Sequence, residues 1–528
     1  MPTARRLIIF ALLGCAFCAA SSHITSGAPR AKNVQARAVE RVVHVGPPDA
    51  NDSRYVYVPF DVPARATRVS VAYQYERAGG ANTIDIGLFD ARSATGADPR
   101  GFRGWSGGRR SELFLTRDEA TPGYTPGALP AGTWRVILGL YRIAPAGVDV
   151  TLKIAVETRS GGSSANDAVS SRAGEPSPAV VTASKSAAKS AAGGASRRAN
   201  PPRTAARGLR WWAGDLHMHT VHSDGNWTVA ELIESARAGG LDFISVVDHN
   251  TASHHAEIER LRPTSGRPLV MRGEEITTYG GHANAWGLPA GAWIDFRVRA
   301  GDSARMARVT DEAHRLGALI SINHPAERCG GCSWSYDASG RGFDGIEVWN
   351  GTWAAPDEES LVMWDKILRA GRRITAIAST DSHRQDTPIG QPASHVAARE
   401  LTQTSILNAI REGHVYLTGS AERPFVSFEV ETSAGKRRAI VGDEIRLGAP
   451  AAVRLFITVK DAPTDATISL VSDGEVIRTS QVRADGQTQA FEIECARDTY
   501  FRLEVRDKSK SMIALTNPVY VRVGARNR

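Results

Sequence analysis

The sequence predicts a multidomain chain in which a central α/β unit is flanked by two all-β domains. Three observations carry this. Residues from about 41 to 158, and again from 423 onward, alternate apolar and polar side chains at period two, the pattern of half-buried strands. Between Leu209 and Gly419 strand-like and helix-like stretches alternate instead. Residues 159–208 turn abruptly to Ser, Ala, Gly, Pro, Lys and Arg, too poor in apolar surface to offset their chain entropy. A length of 528 residues is also what about three domains of roughly 150 residues require.

At the N-terminus, Arg5 and Arg6 precede an apolar run, Leu7 to Cys18, followed by Ala19-Ala20 and Ser21. The run falls well short of the roughly 20 residues that span a bilayer, so residues 1–20 read as a signal peptide. Leu12-Leu13-Gly14-Cys15 resembles a lipoprotein box, which would anchor the chain through Cys15. The mature chain is expected to be exported, periplasmic or secreted, without a transmembrane segment. Envelope association is compatible with both routes.

The first β domain, 34–158, contains Arg68–Tyr75, Thr83–Phe89, Thr133–Leu138 and Val148–Ile154 as strands, and reads as a β-sandwich. It carries one histidine, His44, and no evident cluster of reactive residues. After the linker at 159–208, the central domain at 209–420 opens on a strand ending near Asp215–His219. Thr228-Val-Ala-Glu231 is a capping box for a helix that stops at Gly239-Gly240 and feeds Leu241–Val247. Helices at Ser303–Leu316 and Asp357–Ala370 each stop at a glycine and feed apolar runs, Ala318–Ile322 and Ile374–Ala378. Such alternation implies a parallel sheet, open or closed into a barrel. Strands at Phe425–Val430, Val453–Val459, Thr467–Val471 and Val519–Val523 make 421–528 a second β domain.

The formal charge of +8 invites a nucleic-acid reading, but much of the excess lies in the leader and linker (Lys185, Lys189, Arg197, Arg198, Arg203, Arg207). That diffuse distribution argues for solubility or surface adhesion more than for a shaped nucleic-acid groove, and the expected partner is a small-molecule substrate. Of the five cysteines, Cys15 and Cys18 belong to the leader. Cys329-Gly-Gly-Cys332 has no second CxxC to complete a zinc site, so a loop disulfide is favoured over a redox pair. Cys495 sits in a strand-like stretch and is expected to be buried.

Only His23 and His44 of the 14 histidines lie outside 209–419. His217, His219, His249, His324, Asp381 and His383 each fall just past a strand, on the sheet edge where loops converge on one site. Imidazoles and carboxylates together suit Zn, Mn or Fe. In an extended chain, His217 and His219 point to one face. His222, His254 and His255 are expected at the surface or in support of ligands, and His314 is expected to be structural. Asp248 is expected to orient a ligand or cap a turn. Trp334, Tyr336, Trp349, Trp353 and Trp364 either line a pocket for an aryl group or pack the core.

Six ordered motifs resemble the polymerase-and-histidinol-phosphatase (PHP) superfamily: Asp215-Leu-His-Met-His-Thr220, Ser223-Asp-Gly225, Asp248-His-Asn250, Gly273-Glu-Glu-Ile-Thr-Thr278, Ile322-Asn-His-Pro325 and Asp381-Ser-His383. Gly281–Gly287, Ile346-Glu-Val-Trp-Asn350 and Thr516-Asn-Pro-Val-Tyr520 make the chain look most like the CehA/McbA metallohydrolases. The resemblance implies a distorted (β/α)7 barrel holding two or three divalent ions. Its ligand positions match His217, His219, Asp224, His249, Glu275, His282, His324, Asp381 and His383. Glu275 is matched rather than Glu274 because it directly precedes Ile-Thr. Glu275, Asp381 and His383 are the expected catalytic groups, and Arg272, Arg328 and Arg384, beside the motifs, the expected substrate contacts.

The expected activity is hydrolysis of a carbamate, carboxyl ester or amide by metal-activated hydroxide. A PHP-type phosphoesterase is the alternative, and an envelope-binding protein with a structural metal site the second.

Overall fold

The computed structural model describes residues 34–48, 54–96, 98–159, 208–263, 266–432, 435, 438–483 and 486–524. The leader at 1–20, Cys15 and nearly all of the 159–208 linker lie outside them. Among the described residues no helix is long and apolar enough to cross a membrane.

The N-terminal region holds β1 (Val34–Val45), β2 (Tyr55–Val62), β3 (Ala66–Tyr75), β4 (Thr83–Phe89), β5 (Phe102–Trp105), β6 (Glu112–Thr116), β7 (Gly132–Arg142) and β8 (Val148–Arg159). They form two four-stranded antiparallel sheets, ordered β1-β8-β3-β6 and β2-β7-β4-β5. Period-two side chains fill the space between them: Val69, Val71, Leu152 and Ile154 from one sheet, Ile84, Ile86, Val136 and Leu138 from the other. In β7 the alternation fails, because Val136 through Leu140 are all buried. Its outer face is covered too: Ile137, with Phe89 and Trp105, belongs to the core of the central unit.

The central unit comprises β9 (Arg210–Asp215), α1 (Val229–Ala238), β10 (Phe243–Val246), α2 (His255–Leu261), β11 (Leu269–Thr278), β12 (Gly281–Trp286), α3 (Ser303–Arg315), β13 (Leu319–Asn323), β14 (Gly345–Asn350), α4 (Ala355–Arg369), β15 (Thr375–Ser379), β16 (Ala393–Ala398), α5 (Gln403–Arg411) and β17 (Val415–Thr418). Its strands are ordered β15-β14-β13-β12-β11-β10-β9-β16-β17. The capping box at Thr228 and Glu231 opens α1 as the sequence predicts.

This sheet departs from a regular (β/α)7 barrel. β9, β10 and β11 run parallel, as do β13, β14 and β15, but β12 is antiparallel to both neighbours. β12 returns from β11 through a tight hairpin rather than a helix; Gly281, at φ 129°, adopts a conformation side chains disfavour. β16 also runs antiparallel to β9. No ladder joins β15 to β16, so hydrogen-bonded closure is absent among the described strands. Side chains cross the gap instead. Ser394 Oγ accepts from Ala378 N (2.9 Å) and donates to Ala378 O (2.8 Å). Asn517 accepts from Ala376 N (2.8 Å) and donates to Ala376 O (2.9 Å) and Val415 O (3.0 Å).

The C-terminal region holds β18 (Phe425–Thr432), β19 (Arg438–Ile440), β20 (Glu444–Leu447), β21 (Ala451–Lys460), β22 (Thr467–Ser472), β23 (Glu475–Gln481), β24 (Gln489–Cys495), β25 (Thr499–Arg506), β26 (Met512–Thr516) and β27 (Val519–Val523). Four strands make a sheet of their own, β19-β18-β21-β24. The others continue the central sheet through β26, which pairs antiparallel with β17. Cys495 is buried here.

Candidate metal centre

The strand ends deliver imidazoles and carboxylates to one buried point. His217 and His219 leave β9 on the same face and are both fully buried. His249 follows β10, Glu275 lies in β11, His282 in β12, His324 after β13, and Asp381 and His383 after β15. Strand alternation decides between the adjacent glutamates. Glu275 faces the histidines, whereas Glu274 turns to the other side and accepts from Ile294 N at 2.6 Å. His324 (φ 27°) and Asp381 (φ 51°) both hold left-handed backbone, a strain of about 1–3 kcal/mol each that packed surroundings must sustain.

Glu275 is the hub. Its Oε1 lies 3.3 Å from His217 Nε2, 3.3 Å from His282 Nδ1 and 3.5 Å from His324 Nε2. Its Oε2 lies 2.7 Å from His249 Nδ1 and 3.5 Å from His219 Nε2. Asp381 Oδ1 is 3.3 Å from His217 Nε2 and 3.1 Å from His219 Nε2. Asp224 Oδ1 is 3.4 Å from His249 Nε2 and 3.2 Å from His383 Nε2. Two sets have ligand atoms all within 4.8 Å of one another: His219, Asp224, His249 and His383, and His217, His219 and Asp381. His282 and His324 gather with Cys332 in a third, and His217 and His324 with Glu347 in a fourth. Cys332 is bridged to Cys329, so it offers no thiolate there, and Glu275 is the remaining anionic partner.

The residues fit divalent cations. His217 Nε2, His219 Nε2, His282 Nδ1, Glu275 Oε2 and Asp381 Oδ1 are buried without a hydrogen-bond partner, which polar atoms inside proteins rarely are. The electrostatics agree. Burial pushes the Glu275 and Asp381 carboxyls up, but the surrounding histidines outweigh it and hold both well below the usual range. Burial presses His249 down, yet Asp224 and Glu275 carry it up to about 10. His219, desolvated and beside His383 and His249, is lowered to about 4 and so stays a neutral donor. Buried carboxylates that draw protons onto neighbouring imidazoles are carboxylates short of positive charge.

A second tier fixes these side chains. Glu347, in β14, accepts from His217 Nδ1 (3.2 Å), His324 N (2.9 Å) and Asn350 Nδ2 (3.0 Å). Asn323 donates to Glu275 Oε1 at 3.0 Å. Asp215 receives Thr380 N (3.1 Å) and Gly390 N (2.9 Å), tying β9 to the loop that carries Asp381. Asp248 receives Thr220 N (2.7 Å) and Ser223 Oγ (2.6 Å), bracing the turn before Asp224. His254 and His255 are not at the surface. Both are buried and donate to Gly273 O, at 3.1 and 3.0 Å. His222 bridges Ser253 (2.8 Å) and Glu257 (3.0 Å), and His314, on α3, meets Asp344 at 2.9 Å.

A cavity of about 560 Å³ opens beside the centre. One side is Asp224, His249, His282, His324, Asp381 and His383; the other comes largely from the N-terminal β region, as Asp85, Trp105, Arg109 and Tyr141. Tyr279 and the Cys329–Cys332 bridge complete it. Arg272, Arg328 and Arg384 do not line this cavity. Arg272 shares the outward face of β11 with Glu274 and pairs with Glu259, and Arg328 pairs with exposed Glu359 at 2.7 Å. Trp334, Tyr336, Trp349, Trp353 and Trp364 are also absent from its lining. Trp334 packs on Tyr336 and Phe343, and Trp364 is fully buried behind the sheet. The aromatic wall is thus Trp105, Tyr141 and Tyr279. Glu347 and the N-terminal wall escaped the sequence reading; an acid inside the apolar strand Gly345-Ile-Glu-Val-Trp-Asn350 was the available sign for Glu347.

No family model matches the chain, and no curated protein matches it. Among solved structures, a two-domain protein from Bacteroides vulgatus containing a predicted PHP-like metal-dependent phosphoesterase is 19% identical; the match covers 61% of this chain and 100% of that one, at a TM-score of 0.36. An amidohydrolase from Chromobacterium violaceum, with bound sulfate and no metal, is 17% identical over 34% of this chain and 89% of its own, at a TM-score of 0.24. Likenesses at these scores do not define a fold family, and the site is read from its own geometry.

Proposed function

We propose that the protein is an exported metal-dependent hydrolase that cleaves an uncharged ester-type bond, in a carbamate, carboxyl ester or amide. The observation that carries this reading is the wall opposite the ligands. It carries Trp105, Tyr141 and Tyr279, and its charged groups are the Asp85 carboxylate and a single cation, Arg109, rather than a cluster of cations. A phosphate group carried to the ligands would meet that like charge, whereas a neutral carbonyl compound with an aryl leaving group would not.

His217, His219, Glu275 and Asp381 would hold one cation, Asp224, His249 and His383 a second, and His282 with His324 a third, with Glu275 beside members of all three groups. Divalent ions supply an ionisable water near neutral pH and a Lewis acid for the scissile oxygen. Glu275 and Asp381, held as carboxylates, keep the ligand cluster anionic. Half-exposed Asp224 and His383 stand at the open side where substrate enters. Trp105, Tyr141 and Tyr279 exclude water from the leaving-group side.

A phosphoesterase is the second reading, favoured by the Arg109 guanidinium on the same cavity. Hydrolysis of an aryl N-methylcarbamate and an aryl phosphate by the metal-loaded mature chain separates them, with His217→Ala as control. Turnover of the carbamate alone, lost in the control, supports the proposal. Turnover of the phosphate alone overturns it.

A further inference from the structure

The N-terminal β region is more than an appendage, because it is docked through both polar and aromatic contacts. Thr251 Oγ1 donates to Gly123 O at 2.9 Å, and Gly123 N donates to Ser253 Oγ at 3.1 Å. Phe102 stacks on Trp293 with centroids 3.9 Å apart, and Trp105 packs on Phe296 at 4.8 Å. Tyr141 hydrogen-bonds Cys329 O, joining β7 to the disulfide loop. This docking places β4 and the turn after β5 over the metal ligands.

Asp85, in β4, is the unusual group on that surface. Its Oδ2 accepts from Tyr279 OH at 2.7 Å. Among the described residues no cation pairs with it. Its Oδ1 faces Gly107 and Gly108, where an added Cβ would come into van der Waals contact with it at 3.8 and 3.5 Å, so the missing side chains keep that approach clear. Desolvation raises its pKa to about 6, against the Tyr279 hydrogen bond and the field of His249. A half-buried carboxylate that lines the cavity and meets one neutral hydroxyl keeps acceptor capacity to spare, and desolvated titratable groups in clefts concentrate at functional sites. Tyr279, held well above its ordinary pKa by burial and Asp85, remains a donor and leaves Asp85 as an acceptor.

We propose that Asp85 is the substrate-positioning residue of this cavity: it accepts a hydrogen bond from an N–H or O–H of the substrate, and so selects donor-bearing substrates for the metal centre. The inference rests on the proposed cleavage of uncharged ester-type bonds. For a carbamate, the donor is the N–H beside the scissile carbonyl, set on Asp85 while the carbonyl faces the ligands. Tyr279 fixes the carboxylate orientation, and Gly107-Gly108 leave the approach open.

The test is calorimetric binding to the metal-loaded protein of an aryl N-methylcarbamate and its N,N-dimethyl analogue, which lacks the N–H, with turnover followed in parallel. A hydrogen bond to a charged acceptor predicts roughly 10- to 100-fold tighter binding of the N–H compound. Asp85→Leu should erase that preference while leaving the dimethyl compound's affinity and the metal content in place, and Asp85→Asn should retain part of it. A merely structural Asp85 would shift both compounds together. Equal binding of the two by the wild type, a preference that survives Asp85→Leu, or binding of neither overturns the inference. An Asp85-dependent preference without turnover sinks the hydrolase reading but leaves this one standing.

Discussion

His217 gives its Nδ1 to Glu347, at 3.2 Å, and that contact fixes which nitrogen is left for a metal: Nε2, facing Glu275 and Asp381 at 3.3 Å each. A carboxylate behind a ligating imidazole sets its tautomer and ring orientation. Glu347 also receives His324 N, so one side chain orients two ligands.

Glu347→Gln should therefore weaken metal binding without abolishing the fold. Loss of a supporting carboxylate typically costs 10- to 100-fold in metal affinity or activity. Competition with a metallochromic chelator reads the change. Wild-type affinity in the variant would assign Glu347 to packing alone.

Removal of metal should destabilise the chain as well as silence it. Ligands that bind only the folded state add RT ln(1 + [L]/Kd), about 2.7 kcal/mol at 100 times Kd. Differential scanning fluorimetry before and after chelation, with Zn or Mn restored, should show a fall and recovery in Tm. His217→Ala should melt near the chelated wild type and respond little to added metal. An unchanged Tm on chelation would count against the ligand assignment.

The cluster was partly legible because His217, His219, His249, His324, Asp381 and His383 follow strands that can be read from apolar runs, whereas Glu275 within β11, His282 within β12 and Asp224 in the turn before α1 came only with the family resemblance. Period two puts Glu274 and Glu275 on opposite faces, but only the Ile-Thr that follows Glu275, matched to the family motif, picked it out in the sequence. The contributions of the flanking regions were not legible. Asp85, Trp105, Arg109 and Tyr141 reach the cavity only because the outer face of the β2-β7-β4-β5 sheet docks on the central unit, and docking leaves little local trace. The buried run Val136–Leu140 in β7 was the one sign, a strand apolar on both faces. The closure implied by a distorted (β/α)7 barrel is not seen among the described strands for a similar reason: the β11–β12 hairpin and the open β15–β16 seam depend on turn and side-chain bonds rather than on helix–strand alternation.

Asn517 stands at that seam, and its three hydrogen bonds replace part of the missing ladder. Asn517→Ala leaves Ala376 N and O seeking partners in a buried setting, while Val415 O keeps the backbone N–H of residue 517 at 3.2 Å. An unsatisfied buried group costs about 1–3 kcal/mol, so a total loss of roughly 2–5 kcal/mol is expected after partial relaxation. Chemical denaturation measures it. Since β15 leads into Asp381 and His383, activity should fall in step with order at that strand end. A loss below about 1 kcal/mol would show that Ser394 suffices to hold the seam.

Asp85 should carry a stability cost whose sign follows from its ionisation. The unfolded carboxyl releases its proton near pH 3.9, whereas burial holds the folded one until about 6. Between those values the folded state binds more protons, so stability falls as pH rises and levels off above the folded pKa. Asp85→Asn removes the charge while retaining an acceptor for Tyr279. In metal-stripped protein, where no cation alters the field, the variant should be more stable than the wild type at pH 7 by about 1–3 kcal/mol. Near pH 4 the two should converge. Denaturant melts across pH 4–8 provide the comparison. A variant less stable than the wild type at pH 7 would mean that the carboxylate is a structural anchor. A more stable one would mean that the fold retains Asp85 against its own interest, as it does for groups that serve a substrate.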